Sequence, residues 1–266
     1  MDWRKTKTIF IITFLVLNVY LGQKILEKRE RNQLDFLAEA TMEEQFEADE
    51  ITYAELPKAP SKDSYISGRS YVFTDDDVKE LDGKDQIVER VDETKLKGIW
   101  KEPIPFTDTT VTRINTFFQE QILFADQYTF WGQDALTNSL IFYQQFNGKH
   151  IYRNSSGMVT IYLNELMEMV SYEQTFITDL EEMDVEQDII SAFTAISNLY
   201  ESGDLRTGHH VGHMELGYYT LVDSDYSSSH VHVLIPTWHI VLNQEQDIFV
   251  NAFEGSILKR ESRKLE

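Results

Sequence analysis

The sequence predicts an α+β protein: an N-terminal transmembrane helix followed by two modules, each a helix packed on an antiparallel β-meander. Three observations predict it. The stretch from Thr8 to Gln23 carries no charged residue. A helical pattern followed by several alternating segments then occurs twice. Between two of those segments stands Asn147-Gly148, the strongest hairpin signal in the chain. The organisation read from this is residues 1–31 as tail, anchor and juxtamembrane segment, residues 32–165 as a first module and residues 166–266 as a second, joined near 166–184.

The anchor comes first. Arg4, Lys5 and Lys7 precede an apolar run from Ile9 to Leu21, and Lys24 closes it. At 1.5 Å per residue its 16 uncharged positions span roughly 24 Å, short of a ~30 Å hydrocarbon core. Lys7 and Lys24 can snorkel, and Ile25 and Leu26 add most of a turn, so a span is feasible. A cleaved signal peptide would need a small-x-small site after the run, and GQKILEKRERN supplies none. A buried core helix would need a polar face, and only Thr13 and Asn18 are polar between Ile9 and Leu21. The reading is an uncleaved signal-anchor. Basic residues on both sides leave its orientation open.

Composition narrows the function. The chain of 266 residues carries a formal net charge of −21. Its first 31 residues hold seven Lys/Arg against three Asp/Glu, so the remainder carries −25. Such a surface repels nucleic acid and anionic headgroups. The absence of cysteine excludes disulfides, thiolate metal sites and a cysteine nucleophile.

Beyond the anchor, Ile25 to Glu50 predicts a continuing helix, broken near Thr41, where T-M-E-E offers a capping box; a charged stalk is the other reading. ITYAEL (51–56) and YISGRSYVF (65–73) alternate as strands, around a loop PKAPSKDS. Thr74 caps a short helix, DDDVKEL, whose aspartates suit its positive end better than they suit a calcium loop, since the EF-hand spacing is absent. IVERV (87–91) is a strand, and KEPIPFTD is a turn. Val111, Ile114, Phe117, Phe118 and Ile122 then fall at helical spacing. QYTFW, SLIFYQQF, HIYRN and MVTIYLNEL form the first meander, and MEMVSYEQTFI adds one more strand. Asp184, with Gln187 three residues on, opens a second helix whose stripe is Val185, Ile189, Phe193, Ile196 and Tyr200, stopped by Gly203. HMELGYYTLV, HVHVLIPTWHIVL, DIFVNAF and GSILKR make the second meander.

Six of the seven histidines lie between 209 and 239: His209, His210, His213, His230, His232 and His239. His230 and His232 share a side of a strand, and His209 and His213 would share a side of a helix. This is half of a zinc site, yet HExxH and a completing carboxylate are missing, so surface or edge-strand histidines are the simpler reading and no metal or cofactor is expected. No G-x-S-x-G elbow or glycine-rich phosphate loop occurs, and with 45 carboxylates close acidic pairs arise by chance. Asn154-Ser155-Ser156 matches a glycosylation sequon and sits more simply in a hairpin turn.

The opening MDWRKTKTIFIITFLVLNVYL, with EADEITYAELP, KDSYISGRSYVFT, EQDIISAFTAISNLYESGDL, LGYYTLV and VLIPTWHIVLNQEQDIFVNAFEGSIL, resembles the YycI (WalI) family of membrane-anchored proteins. The resemblance covers essentially the whole chain, and its first segment is the most specific. It implies a YycH/YycI-like fold with a PepSY-like second module, a cytoplasmic N-terminus and an extracytoplasmic C-terminal portion. It further implies partnership with YycH and with the sensor histidine kinase WalK (YycG), which governs cell-wall homeostasis, and no enzyme activity. On this reading Thr13, Asn18 and Gly22 are the candidate contacts between membrane helices, Asn18 foremost. Two other functions fit the residues: a ligand-binding module for cell-wall fragments, and a metal-dependent hydrolase using the His209–His239 cluster.

Overall fold

The computed structural model describes residues 3–105, 117–220, 230–244 and 246–262, with the α1 side chains described at 7, 11–23 and 40–48. Two compact units form: the residues up to Thr52 with Arg206–Gly208, and those from Tyr53 onward apart from that tripeptide.

The first unit is built on α1 (Trp3–Ala48), a single helix with no break at Thr41. Methionine and two glutamates after Thr41 are good helix formers, so a capping side chain there has no reason to stop the ladder. The helix ends where Glu50 adopts the left-handed region (φ 55°). Ile51 N–H then donates to Phe46 O (2.8 Å) and Glu50 N–H to Glu47 O (3.2 Å), which is a Schellman closure, with Phe46 and Ile51 both buried. Among the described residues no helix is long and apolar enough to cross a membrane.

The second unit is mostly antiparallel sheet. ITYAEL contributes only β1 (Thr52–Tyr53), and the expected loop after it contains β2 (Lys62–Asp63). After β3 (Ile66–Ser70) comes α2 (Asp75–Asp82), closed by the capping box: Asp77 N–H donates to Thr74 Oγ1 (3.2 Å) and Thr74 N–H to Asp77 Oδ2 (2.7 Å). β4 (Gln86–Arg90) leads to β5 (Leu96–Pro105), so KEPIP is strand rather than turn. β5 pairs β10 up to Pro105 and carries its prolines at the strand's far end, beyond the stretch that β4 covers. Val111 and Ile114 of the expected helix lie outside the described residues; 117–121 are helical, followed by a 3-10 turn, Ala125–Gln127. β6 (Tyr128–Asp134), β7 (Ser139–Phe146), β8 (Lys149–Tyr152) and β9 (Met158–Leu163) form the meander, and Asn147 and Gly148 both take the positive φ of a two-residue hairpin (50° and 74°). MEMVSYEQTFI supplies two strands, β10 (Glu168–Gln174) and the start of β11 (Ile177–Glu182).

The second helix, α3 (Ala192–Glu201), begins eight residues later than Asp184 predicts. Residues 184–188 are exposed, and β12 (Gln187–Asp188) pairs β2 there instead. Ser191 is the cap, accepting from Thr194 N–H (3.0 Å), because Ile190 N–H is already committed to Ala252 O (2.8 Å). Gly203 (φ 78°) ends the helix, as its position predicts. β13 (His210–Thr220), β14 (Val231–Leu242), β15 (Gln246–Asn251) and β16 (Ile257–Ser262) complete the chain.

The strands divide into two groups. One has the order β4-β5-β10-β9-β7-β6, and its core is Trp100, Phe118, Ile122, Leu140, Phe142, Val159, Ile161 and Tyr172. The other is built on β14, which pairs β13 on one side and, on the other, β3 at its start and β15 at its end. The β7–β8 hairpin joins them, because β8 turns away from β7 to lie parallel to β13. Strands from residues 32–165 and 166–266 therefore interleave in one sheet: β3 lies between β11 and β14.

Candidate functional site

Two places hold the side chains singled out by the sequence. The first is the exposed run of α1. Ile11, Ile12, Phe14, Leu15, Val16, Leu17, Val19, Tyr20 and Leu21 are all exposed. Helical geometry turns about 100° per residue. Asn18 therefore shares a stripe with Ile11, Leu15 and Gly22, whereas Thr13 stands about 140° from Asn18. A Cβ added at Gly22 meets nothing within 4 Å. One flat contact can use Asn18 and Gly22 together, but not Thr13 with them.

The second is the histidine-rich part of the sheet, which does not form one cluster. His209 and His213 do not share a helix: His213 lies in β13, which starts at His210. Along β14, His232 is buried and shares a hydrogen bond with Ser70 Oγ of β3 (2.8 Å), while His230 precedes the strand and is exposed. Burial, with His230 nearby, lowers the pKa of His232.

His239 is placed differently. Strand register sets Glu215 and Phe249 opposite it, and His213 and Asp247 opposite Val241. Opposed residues share a face, and alternation puts positions 239 and 241 on the same one. The other face takes Trp238, whose indole donates to Ile190 O (3.1 Å) just ahead of α3. His239, 1 % exposed, bonds through Nε2 to Asp247 Oδ1 (2.8 Å), and its Nδ1 lies 3.8 Å from Glu215 Oε1. Glu215 also receives the Tyr152 hydroxyl (3.0 Å) and faces His150 Nδ1 (3.3 Å) and His213 Nε2 (3.5 Å).

Aromatic rings enclose this knot. Phe249 stacks on His239 at 5.1 Å, with Tyr152 at 5.3 Å and Trp131 at 5.0 Å. Trp131 reaches it because the β6–β7 register shifts between Phe130 and Gly132, a bulge that re-aims the intervening side chain. Gly217 makes the room: a Cβ there would lie 2.4 Å from the Tyr152 ring and 2.6 Å from His150 O.

The electrostatics follow from the geometry. Burial disfavours a charged His239, but the bond to Asp247 and the nearby Glu215 carboxylate outweigh it and raise its pKa above the ordinary 6.5. Burial likewise pushes Glu215 up, and His150 and His239 together pull it well below the carboxylate range. The knot is thus a proton-holding tie between β8, β13, β14 and β15. His239 faces carboxylates on both nitrogens and lies under aromatic rings, a poor position from which to reach a substrate. Among the described residues no group of three His, Cys, Asp or Glu could hold a metal ion. His150, Glu215 and Asp247 were not singled out from the sequence. The only local signal was the alternation that puts Glu215 and His213 on one side of a strand.

No curated protein matches this chain. Among solved structures, the Bacillus megaterium YpeB C-terminal domain is similar at 13 % identity and a TM-score of 0.44, over 74 % of this chain and 99 % of that one. YycH from Bacillus subtilis is similar at 11 % identity and 0.43, over 76 % of this chain and 54 % of that one. The YycI protein family matches over residues 31–253, well beyond half of the sequence, and the chain belongs to that family.

Proposed function

We propose that this protein is a non-enzymatic, membrane-anchored regulator that modulates the sensor histidine kinase WalK (YycG) together with YycH. The family match over residues 31–253 is the observation that carries this reading. In it, residues 1–31 form the cytoplasmic tail, the anchor and the juxtamembrane segment, while residues 32–165 and 166–266 make up the extracytoplasmic portion. The exposed apolar run of α1 supports the anchor: nine large apolar side chains between Ile11 and Leu21 are exposed, and lipid is the solvent that suits them. In lipid, helices associate through close packing and polar contacts, which is the role proposed for Asn18 and Gly22.

Reciprocal co-purification of the full-length protein and the full-length kinase from detergent-solubilised membranes tests the reading. Recovery of each with the other is expected. If neither recovers the other under conditions that preserve a known membrane complex, the regulator reading fails. Reporter fusions at the two termini test the topology independently, with an extracytoplasmic signal expected only at the C-terminus.

A further inference from the structure

The two most exposed large apolar side chains among the described residues are not on α1: they are Leu166 (77 %) and Leu136 (71 %). Each stands in a hairpin turn, Leu136 between β6 and β7 and Leu166 between β9 and β10. β7 and β9 are antiparallel neighbours in which Ser139 is opposite Tyr162, so the two turns lie at the same end of the sheet. Asn138 ties them together: its side-chain amide donates to Leu163 O and Asn164 O (both 3.1 Å), and its carbonyl accepts from Leu163 N–H (2.9 Å). One exposed leucine needs no explanation; two on joined turns, with Met167 exposed beside them, do.

The turns are folded by other groups. Asp134 Oδ1 accepts from Leu136 N–H (2.9 Å), Asn164 Oδ1 accepts from Leu166 N–H and Glu168 N–H (both 2.9 Å), and Asn164 Nδ2 donates to Glu168 Oε2 (2.8 Å). Met167 occupies the left-handed region (φ 60°), where glycine or asparagine is less strained, so an apolar side chain is kept there against local preference. The backbone bonds hold both leucines on fixed turns, out of contact with the cores of their own chain.

We propose that this paired tip is a docking element, which inserts Leu136 and Leu166 into an apolar pocket rimmed by Lys or Arg on the extracytoplasmic surface of the kinase. The inference rests on the regulator reading above. Charge selects the kind of occupant. Asp134, Glu165 and Glu168 flank the leucines in sequence, and the chain beyond residue 31 carries −25. Anionic headgroups and a second copy of this chain are therefore repelled, and a basic rim is attracted. The kinase is the partner because the Asn18 contact alone is worth only about threefold in association. A second contact on the same molecule multiplies a weak one, since it forms within an existing complex.

The full-length protein, the kinase and YycH are reconstituted together in vesicles of phosphatidylglycerol and phosphatidylethanolamine, with a benzophenone amino acid at position 166. Photolysis is expected to join position 166 to the kinase. Adducts confined to YycH, to a second copy or to lipid overturn the proposal, as does the absence of any adduct. Energy transfer between labelled full-length partners then gives the affinity. Leu136→Ser and Leu166→Ser are each expected to weaken association with the kinase about tenfold, the value of burying one leucine, with the melting temperature unchanged. Glu165→Lys is expected to weaken it too and to reduce its dependence on salt. Parent-like association of the leucine variants, a melting temperature that falls with their association, or an unchanged or tighter Glu165→Lys complex overturns the docking tip. If the parent itself does not associate with the kinase, the regulator reading fails and the tip with it; if the parent and the leucine variants associate equally, the tip alone fails.

Discussion

His239 is a buried imidazole between two carboxylates, and its consequences can be measured. Removing it leaves Asp247 as a buried charge without its 2.8 Å partner, and breaking a buried pair in this way costs about 3–5 kcal/mol. His239→Leu is therefore expected to lower the unfolding free energy measured in urea by that much, whereas His230→Leu, at an exposed position, should change it little. The pH dependence has a definite sign. His239 has a folded pKa above 6.5, so its contribution is complete below that value and is lost as pH rises through the raised one. Glu215 has a depressed pKa, so its contribution is present above the ordinary carboxylate range and is lost as pH falls through the lowered value. Melting temperature should decline from neutral toward alkaline pH, and His239→Leu should flatten that decline. An equal alkaline slope in both proteins would remove His239 as the cause. Gln144 shows a second use of a buried polar group, since its amide accepts from Ile177 N–H (2.9 Å) and donates to Ile177 O (2.7 Å). It stands in for a missing strand between β7 and β11.

At the level of elements, α3 separates local from tertiary control. Asp184 and Gln187 present the spacing of a capping box, yet the helix starts at Ser191. Pairing of β12 with β2 and the bond from Ile190 N–H to Ala252 O take residues 187–190 out of helical geometry. Ser191→Ala is accordingly expected to cost about 1 kcal/mol of stability, and Asp184→Ala close to nothing; chemical denaturation of both variants checks this, and the reverse order would restore the earlier start. Gly217 in β13 is the element-scale counterpart of the histidine knot. Its missing Cβ admits the Tyr152 ring and the β8 backbone. A backbone oxygen at 2.6 Å cannot swing aside, so Gly217→Ala should destabilise by about 1–3 kcal/mol and perturb Trp131 fluorescence. A parent-like spectrum and midpoint would show that β8 can give way.

At the scale of the whole molecule, the proposed association places the contact on one stripe of α1. Interhelical hydrogen bonds in membranes average ~0.6 kcal/mol and reach ~1.7. Asn18→Leu should therefore weaken association with the kinase about threefold, and at most nearly twentyfold. Thr13→Leu, on a different face, should leave it unchanged. Energy transfer between labelled full-length partners measures both, and equal effects at the two positions would remove the stripe from the account. The sequence by itself determined which segments are strands and helices wherever the cause is local. The α2 cap, the Asn147-Gly148 hairpin, the Gly203 stop and the alternation of β13 and β14 all depend on neighbours within a few residues, and the family motifs could be read directly. Tertiary structure alone decided which strands meet. A period of two suits any partner edge, so nothing in YISGRSYVF announces that β3 pairs β14, more than 160 residues away, or that Lys149 reaches Asp63. For the same reason the sequence grouped histidines by their nearness along the chain. The fold instead sent His232 to Ser70 and gathered His150, His213 and His239 around Glu215, because register and the space above Gly217, not chain distance, set which side chains share a face.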